Sequence, residues 1–179
     1  ASSPPIRLKY SGPTTMATYQ QLFNLCKKKF NISWLYGQSH ANEKLFLTEK
    51  AKQYPTLCVG FLNIIHPDRL HIIGPAEIEF FNQISHDARI GFLQKLVDNK
   101  SLGLVVCLDL ALPDDMIQPL IDTNLPVFGT SEPPEKVLTF VRHNIVKLLA
   151  PSCSMHGVFM DVFGMGILLS GQSGIGKSE

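Results

Sequence analysis

Between Leu70 and Leu149, short apolar runs alternate with longer amphipathic stretches, and no other feature of the chain limits its fold so tightly. Leu104 to Leu108 is continuously apolar and rich in valine, the texture of a strand buried on both faces in a parallel sheet. Leu70–Ile73, stopped by Gly74-Pro75, and Leu125–Phe128, ended by Gly129, read the same way. Helices are expected at Ala76–Ile84 and at Asp87–Asn99, the latter with Asp87 as cap and Ile90, Leu93, Leu96 and Val97 facing inward. Pro113–Thr123 follows, with Asp114 and Asp115 as a solvated cap at the positive end of the helix dipole. Pro133–Leu149 is a long helix with Val137, Leu138, Val141, Ile145, Leu148 and Leu149 on its apolar side. Strand and helix alternating at these lengths predict a small α/β domain with a mostly parallel sheet.

Upstream the pattern is weaker. Ala17 to Phe30 places Tyr19, Leu22, Phe23, Cys26 and Phe30 on one helical face, with Thr15 as N-cap. Trp34–Tyr36 reads as a short strand ending at Gly37, and 38–44 as a polar loop. Tyr54-Pro55 marks a break, because a residue before proline avoids the α region. Thr56–Ile65 fits helix or strand equally. The organisation expected is an extension or expression remnant at 1–15, with Met16 as a candidate start, an α/β domain at 16–150 and a linker at 151–154. A second unit begins at 155–179: strands at Met155–Val162 and Met165–Ser170 around a turn at Phe163-Gly164, then a glycine-rich loop.

A formal net charge of +1 argues against strong attraction to nucleic acid or anionic membrane. Lys27-Lys28-Lys29 reads as a solvated helix end. No apolar run is long enough to span a membrane, and the first residues lack the apolar core of a signal peptide. Cys26, Cys58, Cys107 and Cys153 have no metal-ligand spacing and read as reduced and structural, which predicts a cytoplasmic protein. His40, His66, His71, His86 and His143 show no metal spacing either, although His66 and His71 could share a loop. Phe80-Phe81 is assigned to the core.

Gly171-Gln172-Ser173-Gly174-Ile175-Gly176-Lys177-Ser178 satisfies G-x-x-x-x-G-K-[ST] at every fixed position. Glycines let successive backbone N–H groups point into one concavity that accepts phosphate oxygens, and a following helix adds its positive end. Lys177 reaches the β- and γ-phosphates in such a loop, and the Ser178 hydroxyl is a ligand for Mg2+. The apolar run Gly166–Leu169 precedes it, as a strand–loop–helix unit requires.

Met155-His156-Gly157-Val158-Phe159-Met160-Asp161-Val162-Phe163-Gly164, followed by Gly166–Gly171 and the loop through Glu179, resembles the HPr kinase/phosphorylase family. Upstream, His66–Gly74 contains a P-x-R-x-x-x-x-G stretch, Pro67 to Gly74 with Arg69, similar to the N-terminal domain of that family. The resemblance covers 16–179 and is strongest over 153–179. It implies transfer of phosphate from ATP or pyrophosphate to a serine of the phosphocarrier protein HPr, with phosphorolysis in reverse and a role in regulating carbon metabolism. It implies an N-terminal domain similar to the first domain of muramyl ligases, and a hexamer built largely from the catalytic domain. His156 and Lys177 become catalytic residues, Gly171, Gln172, Ser173, Gly174, Ile175, Gly176, Lys177 and Ser178 bind the nucleotide phosphates, and Ser178 holds Mg2+. Asp161 lies near the active site or simply ends a strand. The family places its general-base aspartate beyond the loop, after Glu179, so the 179-residue chain is expected to be a truncated form inactive by itself, a monomer or weak dimer. Two other readings stand beside this one: a different P-loop kinase, and a non-catalytic interaction module built on 16–150.

Overall fold

The computed structural model describes residues 17–63 and 65–150. The chain runs α1 (Tyr19–Lys27), β1 (Ile32–Tyr36), α2 (Glu49–Gln53), β2 (Val59–Phe61), β3 (Leu70–Ile73), α3 (Pro75–Gln83), α4 (His86–Asp98), β4 (Gly103–Val106), α5 (Asp114–Thr123), β5 (Val127–Thr130) and α6 (Pro134–Leu149), with single 3-10 turns at 38–40 and 55–58. The strands form one sheet in the order β1-β5-β4-β3-β2. β2 to β5 are parallel, and β1 adds antiparallel to β5 with an irregularity between Trp34 and Tyr36. The α/β class and the mostly parallel sheet expected from the sequence are both present.

Both faces of the parallel strands are covered, as their unbroken apolar texture requires. One face carries Leu70, Ile72, Val105 and Phe128 against α1, α2 and α6. The other carries Ile73, Leu104, Val106 and Val127 against α3, α4 and α5. Neighbouring residues alternate faces at the strand period of two. Gly103 is in the left-handed region at φ 130, where a Cβ would collide with the Pro126 carbonyl oxygen, so only glycine lets β4 approach β5 there.

Several local expectations change. The cap of α1 is Thr18, whose hydroxyl accepts from Gln21 N while the Gln21 side chain accepts from Thr18 N; Thr15 lies outside the described residues. Ser85, not Asp87, caps α4; of the four residues expected to face inward, Leu93 and Leu96 are buried, Ile90 and Val97 are half-buried, and Phe92 joins the buried set. α2 is a helix in a stretch that showed no period, started by Thr48. Thr56–Ile65 resolves into a 3-10 turn, the three-residue strand β2 and the start of a loop. Phe81 is fully buried but Phe80 is 43 % exposed, because neighbours on a helix point about 100° apart and cannot share one face. His71 is not in a loop with His66; it is buried on β3.

Candidate functional site

His156, Lys177 and the phosphate loop Gly171–Ser178 lie outside the described residues, as do Cys153, Asp161, the linker and the expected hairpin. The described domain can be tested for a site of its own. In an open α/β sheet, ligands sit outside the carboxyl ends of neighbouring strands whose outgoing chains diverge to opposite faces. β4 and β5 are such a pair: the chain leaves β4 for α5 on one face and leaves β5 for α6 on the other.

That crevice is closed. Leu108 N donates to Glu132 O at 3.1 Å and Asp109 N to Thr130 O at 3.0 Å, so the two diverging segments are laced together. Leu108 and Asp109 are held left-handed, at φ 55 and 52, to make these bonds. The rim is acidic. Glu77 accepts from Gly74 N at 2.7 Å, Glu132 pairs with Lys136 at 2.9 Å, and Asp109 is exposed. Burial pushes the Cys107 thiol up to about 12, with Glu135 and Glu77 adding to the shift, so it is held as the neutral thiol near pH 7. The one lysine named on this rim, Lys136, is paired with Glu132.

The P-x-R stretch builds a different cluster at the start of β3. The Arg69 guanidinium lies over Gly60 of β2, in space that a Cβ would take. His71 beside it holds Pro67 O through Nε2 at 3.0 Å, while His71 Nδ1 and Arg69 Nε are buried with no hydrogen-bond partner among the described residues. Burial lowers His71 to about 4, so the imidazole is neutral near pH 7 and stays out of proton transfer there. Burial likewise holds Cys58 up at about 11. The arrangement lies across β2 and β3.

A third constellation was missed in the sequence. Asp115, expected to be a solvated cap, accepts from Arg89 Nε at 2.9 and 3.0 Å and from Arg89 Nη2 at 2.6 Å, with His86 Nδ1 at 2.7 Å. Hydrogen bonds from Arg89 and then His86 hold its carboxyl below the usual range. Arg89 Nη1 also donates to the Phe81 and Ile84 carbonyls at 2.8 and 2.7 Å. One guanidinium thus caps α3 and fastens α4 to α5. Every strong bond in the cluster is satisfied internally, which is the mark of a structural staple.

Among the described residues, no group of histidine, cysteine, aspartate or glutamate could hold a metal ion, and no helix is long and apolar enough to cross a membrane. The candidate site residues read from the sequence lie at 156 and 171–178.

The chain was compared with known proteins. Residues 18–145 match the family model described as HPr Serine kinase N terminus, and residues 147–179 match the HPr Serine kinase C-terminal domain. A protein of Paraburkholderia phymatum named HPr kinase/phosphorylase is 33% identical over 168 residues, covering 93% of this chain and 52% of that relative. Proteins of the same name from Xylella fastidiosa and Xanthomonas axonopodis pv. citri are 27% and 26% identical over 165 residues, each covering 92% of this chain and 52% of the relative. The chain spans about half the length of these curated relatives. With a family model covering most of the chain, and with the phosphate loop falling inside the match to the second, the chain belongs to the HPr serine kinase family.

Proposed function

We propose that the protein carrying this chain is a serine kinase/phosphorylase of the phosphocarrier HPr, and that the chain contributes the N-terminal α/β domain and the loop that holds the donor phosphates. The observation behind this reading is Gly171–Ser178, a full phosphate-loop string lying within the residues that match the family's C-terminal domain. The relatives named HPr kinase/phosphorylase support it.

The donor set fits a nucleotide with Mg2+. Gly171, Gly174 and Gly176 leave backbone N–H groups free to face phosphate oxygens. Lys177 contributes one fixed positive charge against the β- and γ-phosphates, and Ser178 a hard oxygen ligand suited to Mg2+. Bound ATP, or pyrophosphate, supplies the phosphoryl group for the serine of HPr. Phosphoryl transfer depends on positioning and on charge neutralisation, which these residues provide; His156 is assigned to the same active site through the family pattern. The polypeptide of residues 1–179 alone is expected not to phosphorylate HPr.

The test is binding of ATP with Mg2+ by the protein and by its Lys177→Met variant, with the mass of HPr as second readout. Loss of the lysine is expected to weaken nucleotide binding and to slow the gain of a phosphate on HPr by about a hundredfold or more. Unchanged binding in the variant would remove the loop from the mechanism.

A further inference from the structure

The carboxyl ends of β4 and β5 are laced shut, but beside their amino ends there is room. A cavity of about 300 Å³ lies there, lined by Val97, Lys100 and Ser101 on the way into β4 and by Asn124, Leu125 and Pro126 on the way into β5. Tyr19, His40, Glu43, Lys44 and Phe46 line another part of it. An apolar hollow of this size with a few converging polar groups is the ordinary form of a small-ligand site.

The two helices that end at the cavity do so on left-handed residues that are not glycine: Lys100 at φ 57 after α4 and Asn124 at φ 56 after α5. At the end of α4, Ser101 N donates to Leu96 O at 2.9 Å and Lys100 N to Val97 O at 3.1 Å, a helix end where glycine is the default because a Cβ is strained. Asn124 uses its side chain to build the wall. Its amide nitrogen donates to Ser39 Oγ at 2.7 Å and to His40 Nε2 at 2.9 Å. An amide nitrogen only donates, so His40 carries its proton on Nδ1, toward Glu43 Oε2 at 2.6 Å. Glu43, the one carboxylate of the lining, is thereby taken. The cations are not. Lys100 Nζ stands 4.4 Å over the ring of Phe46, itself 50 % exposed, and among the described residues neither Lys100 nor Lys44 is in an ion pair. The carbonyls of Leu96, Val97 and Ile121, which would repel an anion from the two helix ends, each already accept a backbone N–H. Burial, with Glu43 adding to it, holds the Tyr19 phenol up at about 12, so that wall brings no negative charge.

We propose that this cavity binds a small organic anion, a carboxylate or phosphate monoester on a flat apolar body. Its acid group meets Lys44 and Lys100, and its body lies on Phe46, Leu125 and Pro126. The lysine at a glycine position is then explained by what it reaches, and the site lies in the N-terminal domain, independent of the phosphate loop.

The test is titration of the 15N-labelled full chain with benzoate and with phenyl phosphate, followed by amide shifts. Saturable shifts are expected at Phe46, Lys100, Ser101 and Asn124, and the tighter of the two probes identifies the acid group. Both titrations are repeated in Lys177→Met. The shifts are expected to persist there; their loss would assign the binding to the loop and overturn the proposal. Benzyl alcohol, with a ring and no charge, and inorganic phosphate, with a charge and no ring, are each expected to bind about tenfold more weakly; equal binding of either overturns it. Lys100→Gly places the default residue in the left-handed position, so the thermal midpoint is expected not to fall while affinity drops about tenfold. Lys44→Ala, at an exposed position, is expected to lose affinity by a similar factor, and Lys95→Ala, which removes the same charge from α4 away from the cavity, to keep it. Equal affinity in all three variants, or no saturable shift with either probe, overturns the site.

Discussion

β1 and β2 close the same sheet at opposite edges, and they are made differently. β2 has three residues, with Arg142 on its outer carbonyl from one face and Arg69 laid over Gly60 from the other. β1 has five, Ile-Ser-Trp-Leu-Tyr, with no charged residue. It is held by rings instead: Trp34 lies 4.4 Å from Phe128 and 5.8 Å from Phe23, centroid to centroid. An exposed edge strand offers unpaired N–H and C=O groups to any passing strand, and short length and charge are the usual protections. β2 has both and β1 has neither. A parallel edge flanked by polar side chains and an antiparallel edge glued by aromatics should therefore fail in different ways.

The largest effect is expected on the aromatic side. Phe128 is 2 % exposed and touches both Trp34 and Phe23. Phe128→Ala is expected to cost about 4 kcal/mol in urea unfolding, through lost transfer energy and the cavity left behind. A cost under about 1 kcal/mol would mean that the ring stack does not hold β1.

Acid should find the other edge first. His71 titrates at about 4 in the folded protein against an ordinary value of 6.5, because burial disfavours the charged imidazole. Its folded pKa is lowered, so unfolded chains bind the proton first as pH drops. The contribution of the neutral ring is full above about 6.5 and is lost between there and about 4, a swing of about 3 kcal/mol. His71→Gln keeps a donor for Pro67 O and has no charge to take up. Its unfolding free energy is expected to be flatter over that range, and a slope equal to the parent's would assign the acid sensitivity elsewhere.

Gly60 sharpens the contrast at smaller scale. A Cβ there meets Arg69 Nη1, the far end of a flexible side chain, so Gly60→Ala should displace the guanidinium without moving backbone. About 1 kcal/mol is expected, measured by thermal unfolding. Several times that cost would show the arginine to be locked in place.

The three inner strands were legible because burial on both faces leaves an unmistakable apolar run: Leu70–Ile73, Gly103–Val106 and Val127–Thr130 appear within two residues of where the pattern put them. The edges were not. β2 lies in a stretch with no period to read, since one of its three residues is Gly60 and its neighbours form a 3-10 turn. Helix caps went to the candidate with the better local chemistry; Thr18 prevails because Gln21 stands three residues on and completes the reciprocal pair. The Arg89–Asp115 staple joins residues 26 apart on two helices, and only the packing of α4 on α5 brings them together. The closed crevice between β4 and β5 depends on strand order in the same way. The string Gly171–Ser178 stands out in the sequence because it is contiguous, eight residues in one run, and the role proposed for it rests on that string.

The smallest energies carry the sharpest test of the comparison. Arg142→Ala frees the Val59 carbonyl at the protected edge, and Ser33→Lys puts a charge on the unprotected one; Ser33 is exposed, so each should change stability by less than about 0.5–1 kcal/mol. Self-association on mild heating, followed by light scattering, should respond more strongly. Ser33→Lys is expected to slow it, because a lysine on an edge strand opposes pairing with a second copy. Arg142→Ala is expected to speed it, and the double variant to move association from one edge to the other. If Ser33→Lys leaves the rate unchanged while Arg142→Ala raises it, the β1 edge is already covered in the intact protein, and its lack of charge reflects a partner strand it never has to repel.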